Sequence, residues 1–305
     1  MSTEEHRARI LPTYLGGFLM GSADIVPGVS GGTIALVLGI YETLVEQIQR
    51  GAHAAGQFLK GDVRAGMTAL REVRWRFLLP LGFGIISAVL LLASALEHLL
   101  EERPVQMSAL FLGLVAGSVV IASRMLKKPA GQHLGIAVLA AVITFLGLGL
   151  RSGRIDDPSY LIVFVAGAIA ICAMILPGIS GSFLLLVMGM YETIIGAISD
   201  RDIARAAVFL AGAVVGLALF STLLEWLLEH HHDRVLAALV GLMAGSLRVL
   251  WPWPVGEDGV GDTALGAPVT ADLPIVLLLA VVGVALVYGV AQVGRMVEGA
   301  EPADT

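Results

Sequence analysis

A short stretch of proline, glycine and serine occurs twice in an otherwise apolar chain. Pro27-Gly28-Val29-Ser30-Gly31-Gly32 returns at an offset of 150 as Pro177-Gly178-Ile179-Ser180-Gly181-Ser182. Proline ends the preceding helix, glycine permits a tight turn, and a serine hydroxyl can cap the helix that follows. A helix start with free N–H groups and hydroxyls suits an anion, especially phosphate or carboxylate. The motif therefore predicts anion binding.

The two copies together define the predicted site. The residues expected to contact the anion are Gly28, Ser30, Gly31, Gly32, Thr33, Gly178, Ser180, Gly181 and Ser182, with Pro27 and Pro177 as the helix breaks. A single copy is more often a kinked helix whose serine bonds to its own backbone. Two ungapped copies favour a binding site whose tips meet near the middle of the membrane and hold one anionic group.

Three acidic residues lie within or beside the motif segments, namely Asp24, Glu42 and Glu192. An ionised carboxylate in hydrocarbon is costly, so such a residue pairs, protonates or faces water. Asp24 has Met174 at the equivalent position of the second copy. This asymmetry suits a proton- or cation-coupling residue, and a polar cap on the loop is the alternative. For Glu42 and Glu192, interfacial anchoring competes with a role in coupling or gating.

Other polar residues are less specific. Arg248 is a weak candidate for binding phosphate, because an arginine near the end of a span more often extends to the interface. His230-His231-His232 resembles a metal-binding tract, but a solvated loop is the favoured interpretation. No cofactor, metal or nucleic acid is predicted.

The composition places these motifs in a membrane protein. Of 305 residues, 57% are hydrophobic and 14% charged, and the mean hydropathy is +0.86. Soluble chains are about a quarter charged, so the chain is predicted to be integral to a membrane. Six full-length spans are predicted, at 77–96, 106–123, 132–150, 206–228, 235–250 and 273–294.

The motif segments do not fit the template of a single span. They cover 13–48 and 160–198, and an unbroken helix of about 36 residues would be about 54 Å long, far more than a bilayer core. Each segment consists of an apolar arm, the motif and a second apolar arm. Two re-entrant helical hairpins are therefore predicted, with their tips lining protein or a wet cavity.

The duplication extends into the spans. Leu112-Gly113-Leu114-Val115-Ala116-Gly117-Ser118 returns at an offset of 128 as Val240-Gly241-Leu242-Met243-Ala244-Gly245-Ser246. The change of offset puts the extra residues of the first copy in the hydrophilic loop 50–76. The prediction is an all-α polytopic membrane protein with two repeats, 1–155 and 156–305, each with one hairpin and three spans. Because three spans cross an odd number of times, the second repeat is inverted.

Charge placement predicts the orientation. The loop 50–76 contains six basic residues, Arg50, Lys60, Arg64, Arg71, Arg74 and Arg76, which place it in the cytoplasm with both termini. The loop 254–272 is acidic and lies outside, while Arg151 and Arg154 are exceptions to the scheme. The basic loop can also contact anionic lipid headgroups, although the ordinary inside-positive bias explains it.

The residues around both motifs resemble a known family. The run from Gly16 to Thr33, continuing to Tyr41-Glu42, is similar to the opening signature of the PopT polyprenyl-phosphate translocases of bacteria, and the run from Ala173 to Glu192 is similar to that family's internal motif. The resemblance implies transport of undecaprenyl phosphate, the lipid carrier of cell-envelope synthesis, from the outer to the inner leaflet of the cytoplasmic membrane. It carries a binding or coupling role to Asp24, Pro27, Gly28, Ser30, Gly31, Glu42, Pro177, Gly178, Ser180, Gly181 and Glu192.

Two other functions are weighed against this one. A membrane lipid-pyrophosphate phosphatase needs a cation beside the scissile phosphate, whereas Gly31 and Gly181 follow the serines where arginine would be expected. The second alternative is a transporter or channel for a small soluble anion. The chain has no nucleotide-binding loop, so transport is expected to follow a proton or ion gradient or consumption of the substrate. The partners predicted are the polyprenyl phosphate, membrane lipids and coupling protons or cations, and a homo-oligomer is left open.

Overall fold

The computed structural model describes residues 3–26, 28–150, 155, 157–255 and 264–298, which are helical almost throughout. The helices are α1 Thr3–Asp24, α2 Gly31–Val37, α3 Tyr41–Leu59, α4 Val63–Glu72, α5 Trp75–Glu102, α6 Pro104–Ser123, α7 Gly131–Gly147, α8 Tyr160–Ile175, α9 Gly181–Val187, α10 Tyr191–Ser199, α11 Ile203–Ser246 and α12 Leu273–Glu298. A 3₁₀ turn, Leu247–Leu250, follows α11. The prediction of an all-α polytopic membrane protein is confirmed for the described residues.

Among the described residues, four helical segments are long and apolar enough to cross a membrane, namely Trp75–Glu102, Pro104–Ser123, Ile203–Leu250 and Leu273–Gln292. Two shorter apolar helices are Gly131–Gly147 and Tyr160–Ile175. The spans predicted at 206–228 and 235–250 fall in α11 and the 3₁₀ turn that continues it, and α11 has a kink at His231 (φ −137°, ψ 36°). The histidine tract therefore lies at the break between two helical parts of α11, and a single non-helical residue takes the place of the longer loop predicted there. Six polar residues, 229–234, separate the two apolar runs. The helix bends within them and continues on both sides.

The second arm of each motif segment is not one helix. Leu38-Gly39-Ile40 separates α2 from α3, and Met188-Gly189-Met190 separates α9 from α10. Gly39 and Gly189 have φ values of +76° and +68°, a left-handed conformation that glycine adopts without strain. The second apolar arm of each segment therefore consists of two helices. The repeated Gly-x-Tyr-Glu-Thr sequence was the signal for this second break.

Glycine allows the helices that follow each motif to pack closely. On α5, a Cβ at Gly84 would lie 2.1 Å from the carbonyl oxygen of Tyr14 in α1. On α11, a Cβ at Gly212 would lie 1.9 Å from the carbonyl oxygen of Phe164 in α8. The two glycines are related by the offset of 128 and their partners by the offset of 150. The same backbone contact therefore recurs at positions that the sequence repeats.

The later helices of each predicted repeat pack on helices of the other repeat. A Cβ at Gly113 in α6 would lie 2.0 Å from the carbonyl oxygen of Ala280 in α12, and one at Gly241 in α11 would lie 2.2 Å from that of Ala137 in α7. The last helix of each predicted repeat thus packs on the middle span of the other. This exchange ties the two parts of the chain into one bundle. The inverted relation between the repeats remains a prediction.

Candidate functional site

The first motif turns sharply after α1. Gly28 has φ +81°, a left-handed conformation that favours glycine. A Cβ at this position would also lie only 2.8 Å from Val249 Cγ1, so a side chain has no room there. Pro27, the predicted helix break, lies outside the described residues. The turn places Val29 and Ser30 in the buried interior, directly before α2.

Ser30 caps α2 as predicted. Its Oγ accepts a hydrogen bond from the N–H of Gly32 at 3.1 Å, and its backbone is extended, as is usual for an N-cap residue. The hydroxyl also donates to the carbonyl oxygen of Leu176 at 3.3 Å. Since Ser30 is only 2% exposed, its hydroxyl joins the two motifs within the protein interior.

A carboxylate already occupies the start of α2. Asp24 Oδ1 accepts a hydrogen bond from the N–H of Gly31 at 2.6 Å. A Cβ on Gly31 would lie 2.5 Å from the other oxygen of this carboxylate, so only glycine permits the approach. The prediction of free N–H groups at this tip is therefore wrong for Gly31 and Gly32, because Asp24 and Ser30 accept their hydrogen bonds.

The two motifs are in direct contact. Thr33 Oγ1 accepts a hydrogen bond from the N–H of Gly178 at 2.9 Å, and Thr33 is fully buried. A Cβ on Gly32 would lie 2.9 Å from the carbonyl oxygen of Ile175, so the backbones approach each other closely. The structure thus brings together Asp24, Ser30, Gly31, Gly32 and Thr33 with the segment 175–178. No sequence pattern had indicated the hydrogen bond from Gly178 to Thr33 or the one from Ser30 to Leu176.

The second motif has a different arrangement at its helix start. Pro177 is buried, and Gly178 has φ +85° with a hypothetical Cβ 2.7 Å from Met243 Cα. Ser180 stands at the N-cap position of α9 but makes no side-chain capping bond. Its hydroxyl lies 2.8 Å from Ser182 Oγ, where the first copy has Gly32 and no hydroxyl. The prediction that Ser180 caps α9 is therefore wrong, because the neighbouring hydroxyl is its partner.

The second motif is also more accessible than the first. Ser182 is exposed and Ser180 half-buried, whereas Ser30 and Thr33 are buried. Met174 takes the place of Asp24, and a Cβ on Gly181 would lie 2.6 Å from Met174 Cγ. The start of α9 thus has two accessible hydroxyls beside a thioether, whereas the start of α2 is closed by a carboxylate.

Glu42 contacts the kink in α11. Its Oε1 lies 2.8 Å from His232 Nε2, and the other ring nitrogen of His232 lies 3.1 Å from Asp233 Oδ1. The Asp233 carboxylate accepts hydrogen bonds from the backbone N–H groups of Lys127 and Lys128, at 3.0 and 2.8 Å. Glu42 therefore links the start of α3 to the kink and to the α6–α7 connection. No sequence pattern indicates that His232 is its partner.

The other two predicted residues lie on different elements. Glu192 is exposed in the first turn of α10, the position equivalent to that of Glu42 in α3. Arg248 Nη1 donates to the carbonyl oxygen of Phe145 at 3.3 Å, and its guanidinium carbon lies 4.7 Å from the centre of the Phe145 ring. Arg248 is thereby attached to the end of α7, while the adjacent Val249 packs on Gly28.

Comparison with known proteins connects both motifs to one family. The model of the VCA0040-like family, described as undecaprenyl phosphate translocase-like, matches residues 20–264. A polyprenyl-phosphate transporter of Vibrio cholerae serotype O1 is 42% identical over 243 residues, which cover 80% of this chain and 78% of that protein. A polyprenyl-phosphate transporter of Staphylococcus aureus is 34% identical over 257 residues, covering 78% of this chain and 85% of that protein. No solved structure matches the chain.

Proposed function

Because the chain belongs to the undecaprenyl phosphate translocase-like family, we propose that it transports a polyprenyl phosphate across the membrane. Its relatives are named as transporters of this class of lipid. The observation that carries the proposal is the hydrogen bond between Thr33 and Gly178, because it joins the two motifs in one place. A single site built from both motifs is what a carrier needs to receive one headgroup.

The chemistry of the headgroup fits this arrangement. A polyprenyl phosphate has one anionic head that must cross hydrocarbon, while its isoprenoid tail can remain in lipid. Hydroxyl and backbone N–H groups at the motifs would replace the hydration of the phosphate. Ser180 and Ser182 are accessible, so they are the groups we propose to contact the phosphate first. The remaining predicted contacts, Gly28, Ser30, Gly31, Gly32, Thr33, Gly178 and Gly181, would join after the motifs separate.

Asp24 is proposed to couple transport to protons or cations. Its carboxylate accepts the hydrogen bond of the Gly31 N–H, and a phosphate oxygen would also favour this position. Two anions cannot share this place without a large repulsion, so headgroup binding requires Asp24 to take up a proton, pair with a cation or move away. Met174 at the equivalent position cannot act in this way. One motif would thus contribute coupling and the other the first binding contacts.

The proposed cycle uses inverted repeats in the cytoplasmic membrane, with both termini inside. Each motif segment would open toward one face of the membrane, and the substrate would be undecaprenyl phosphate moving from the outer to the inner leaflet. The recurrence of the Gly84 and Gly212 contacts at repeat-related positions supports two similar halves. Glu42 and Glu192, at equivalent helix starts, are proposed to act in gating.

Reconstituted vesicles provide the test of this function. Purified protein would be placed in liposomes with labelled undecaprenyl phosphate, and exchange between leaflets would be followed with and without a proton gradient. We expect exchange well above that of protein-free vesicles, while labelled phosphatidylglycerol stays at the protein-free rate. Exchange equal to that of empty vesicles under every gradient would contradict the proposal. Release of inorganic phosphate from undecaprenyl pyrophosphate would instead favour a phosphatase, and inhibition by soluble phosphates alone would favour a carrier of small anions.

A further inference from the structure

The helix α4 has no counterpart at the equivalent place among the described residues of the second part of the chain. It lies between α3 and α5, whereas three residues separate α10 from α11 at the corresponding place. A Cβ on Gly66 of α4 would lie 2.9 Å from the Phe58 ring of α3. Arg50 Nη1 donates to the carbonyl oxygen of Glu72 at 3.1 Å. One face of α4 is thus packed firmly on α3, so the helix has a defined orientation.

A different face of α4 exposes apolar side chains. Val63 is 63% and Met67 44% exposed, and Leu70 lies on the same side, since these residues are spaced by four and three. We call Val63, Met67 and Leu70 the α4 stripe. The indole N–H of Trp75 donates to the carbonyl oxygen of Leu70 at 2.9 Å, which holds this exposed ring at the end of the stripe.

The α4 stripe leads into the apolar face of a membrane-spanning helix. After Trp75, the side chains that α5 exposes at helical spacing are Leu79, Phe83, Ile86 and Leu90. Such a face on a span is in contact with lipid. The α4 stripe therefore adjoins the end of the lipid-facing surface. Trp75 lies at the junction, and tryptophan is enriched at the boundary between membrane and water.

Basic residues flank the α4 stripe. At about 100° per residue, Arg64 and Arg71 project roughly 40–100° from Val63 and Met67, on the side away from α3. Five exposed basic residues stand against two acidic ones in this segment, Lys60, Arg64, Arg71, Arg74 and Arg76 against Asp62 and Glu72. None of the five forms an ion pair with another residue in the described part of the chain.

The polar side of α4 lines a groove of a different character. This groove of about 420 Å³ is bordered by His53, Gln57, Asp62, Arg64, Ala65, Thr68, Ala69 and Glu72. Thr68 is exposed there, one residue after Met67 and about 100° around the helix from it. The helix thus has one apolar and one polar exposed side.

We propose that α4 lies in the surface of the membrane, with the α4 stripe inserted among lipids and its basic residues bound to anionic headgroups. An apolar face bordered by Lys and Arg is the pattern of an interfacial helix, and its positive charge is complementary to an anionic leaflet. The continuity with the lipid-facing side of α5 selects lipid as the occupant. The proposal does not depend on the transported substrate.

A fluorescent label can report where each side of α4 lies. In a Cys172→Ala background, the full chain would carry Met67→Cys or, as the matched control, Thr68→Cys, and both would be placed in nanodiscs containing phosphatidylglycerol. We expect a spin-labelled lipid to quench the label at 67 several-fold more than that at 68, and a water-soluble quencher to act in the reverse order. Equal access of the water-soluble quencher to both labels would overturn the proposal. A label at 67 that neither quencher reaches would indicate a second copy of the chain on this surface, and would also overturn it.

The basic residues can be tested separately. Arg64→Gln together with Arg71→Gln should reduce the excess quenching of the label at 67 by spin-labelled phosphatidylglycerol over spin-labelled phosphatidylcholine, because about 1 kcal/mol of attraction to anionic headgroups, or roughly fivefold in local enrichment, is lost for each charge removed. Both side chains are exposed, so we expect unchanged folding, checked by thermal unfolding. A preference for phosphatidylglycerol at position 67 that is the same with and without these charges would contradict the role of anionic headgroups.

Discussion

Thr33 Oγ1 accepts a hydrogen bond at 2.9 Å from the backbone N–H of Gly178, and both residues are buried. Replacing Thr33 by valine keeps the shape but removes the acceptor, leaving the N–H of Gly178 without its bond. A buried donor left unpaired costs about 1–3 kcal/mol. We therefore expect Thr33→Val to lower the thermal unfolding temperature of the purified protein and to slow transport in vesicles.

The control for this substitution is Thr33→Ser, which retains the hydroxyl and loses one methyl group. It should preserve the hydrogen bond and remain closer to the unmodified protein in both measurements. If Thr33→Val and Thr33→Ser had the same effect, the lost volume and not the bond between the motifs would explain the result.

The helix pair α1 and α5 offers a test of close packing. Gly84→Ala places a methyl group about where the carbonyl oxygen of Tyr14 already lies, at 2.1 Å, so the helices must separate. Overpacking of this kind typically costs about 1–3 kcal/mol. Gly82→Ala, on the same helix, meets nothing within 4 Å and should be neutral or slightly stabilising. The unfolding temperatures of the two variants would be compared, and equal values would refute the proposed contact.

Asp24 permits a test of coupling that is separate from folding. Asp24→Asn keeps an oxygen that can accept from the N–H of Gly31 but removes the charge that would compete with a phosphate. We expect transport by this variant to lose its dependence on an imposed proton gradient, with a small change in the unfolding temperature. The rate would be measured in vesicles at several gradients. A variant that responds to the gradient as the unmodified protein does would exclude Asp24 from coupling.

The sequence was sufficient for the features that depend on local chemistry. The charged fraction indicated a membrane protein, and Ser30 could be identified as a helix cap from its position after proline and glycine. The contacts of Thr33 with Gly178 and of Glu42 with His232 could not be predicted in this way, because each joins residues more than 140 positions apart. Such contacts depend on how the helices pack, which no local pattern specifies.

The repeated sequence predicted the same role for both motifs, but their hydrogen bonds differ. Equivalent serines led to equal expectations for Ser30 and Ser180, although their neighbours differ. Gly32 offers only an N–H to Ser30, whereas Ser182 offers a hydroxyl to Ser180. The hydroxyl of Ser182 thus changes the hydrogen-bond partner of the repeated serine. In the sequence the cause is visible only at the neighbouring position, where Gly32 is replaced by Ser182.

This difference leads to a prediction that separates binding from folding. Ser180→Ala together with Ser182→Ala removes two accessible hydroxyls that bond to each other and do not cap α9, so we expect little change in the unfolding temperature. If these hydroxyls contact the phosphate, the affinity for a polyprenyl phosphate should fall by about a hundredfold or more, since two hydrogen bonds to a charged group, at about 1.5–3 kcal/mol each, are lost. Ser30→Ala provides the contrast, because the buried hydroxyl of Ser30 both caps α2 and donates to the carbonyl oxygen of Leu176. Its loss should therefore lower the stability of the fold by about 1 kcal/mol or more.

Binding would be measured by titrating a short-chain polyprenyl phosphate into each variant in detergent. An unchanged affinity in the double variant would eliminate Ser180 and Ser182 as phosphate contacts, and the buried groups of the first motif would then be the remaining candidates.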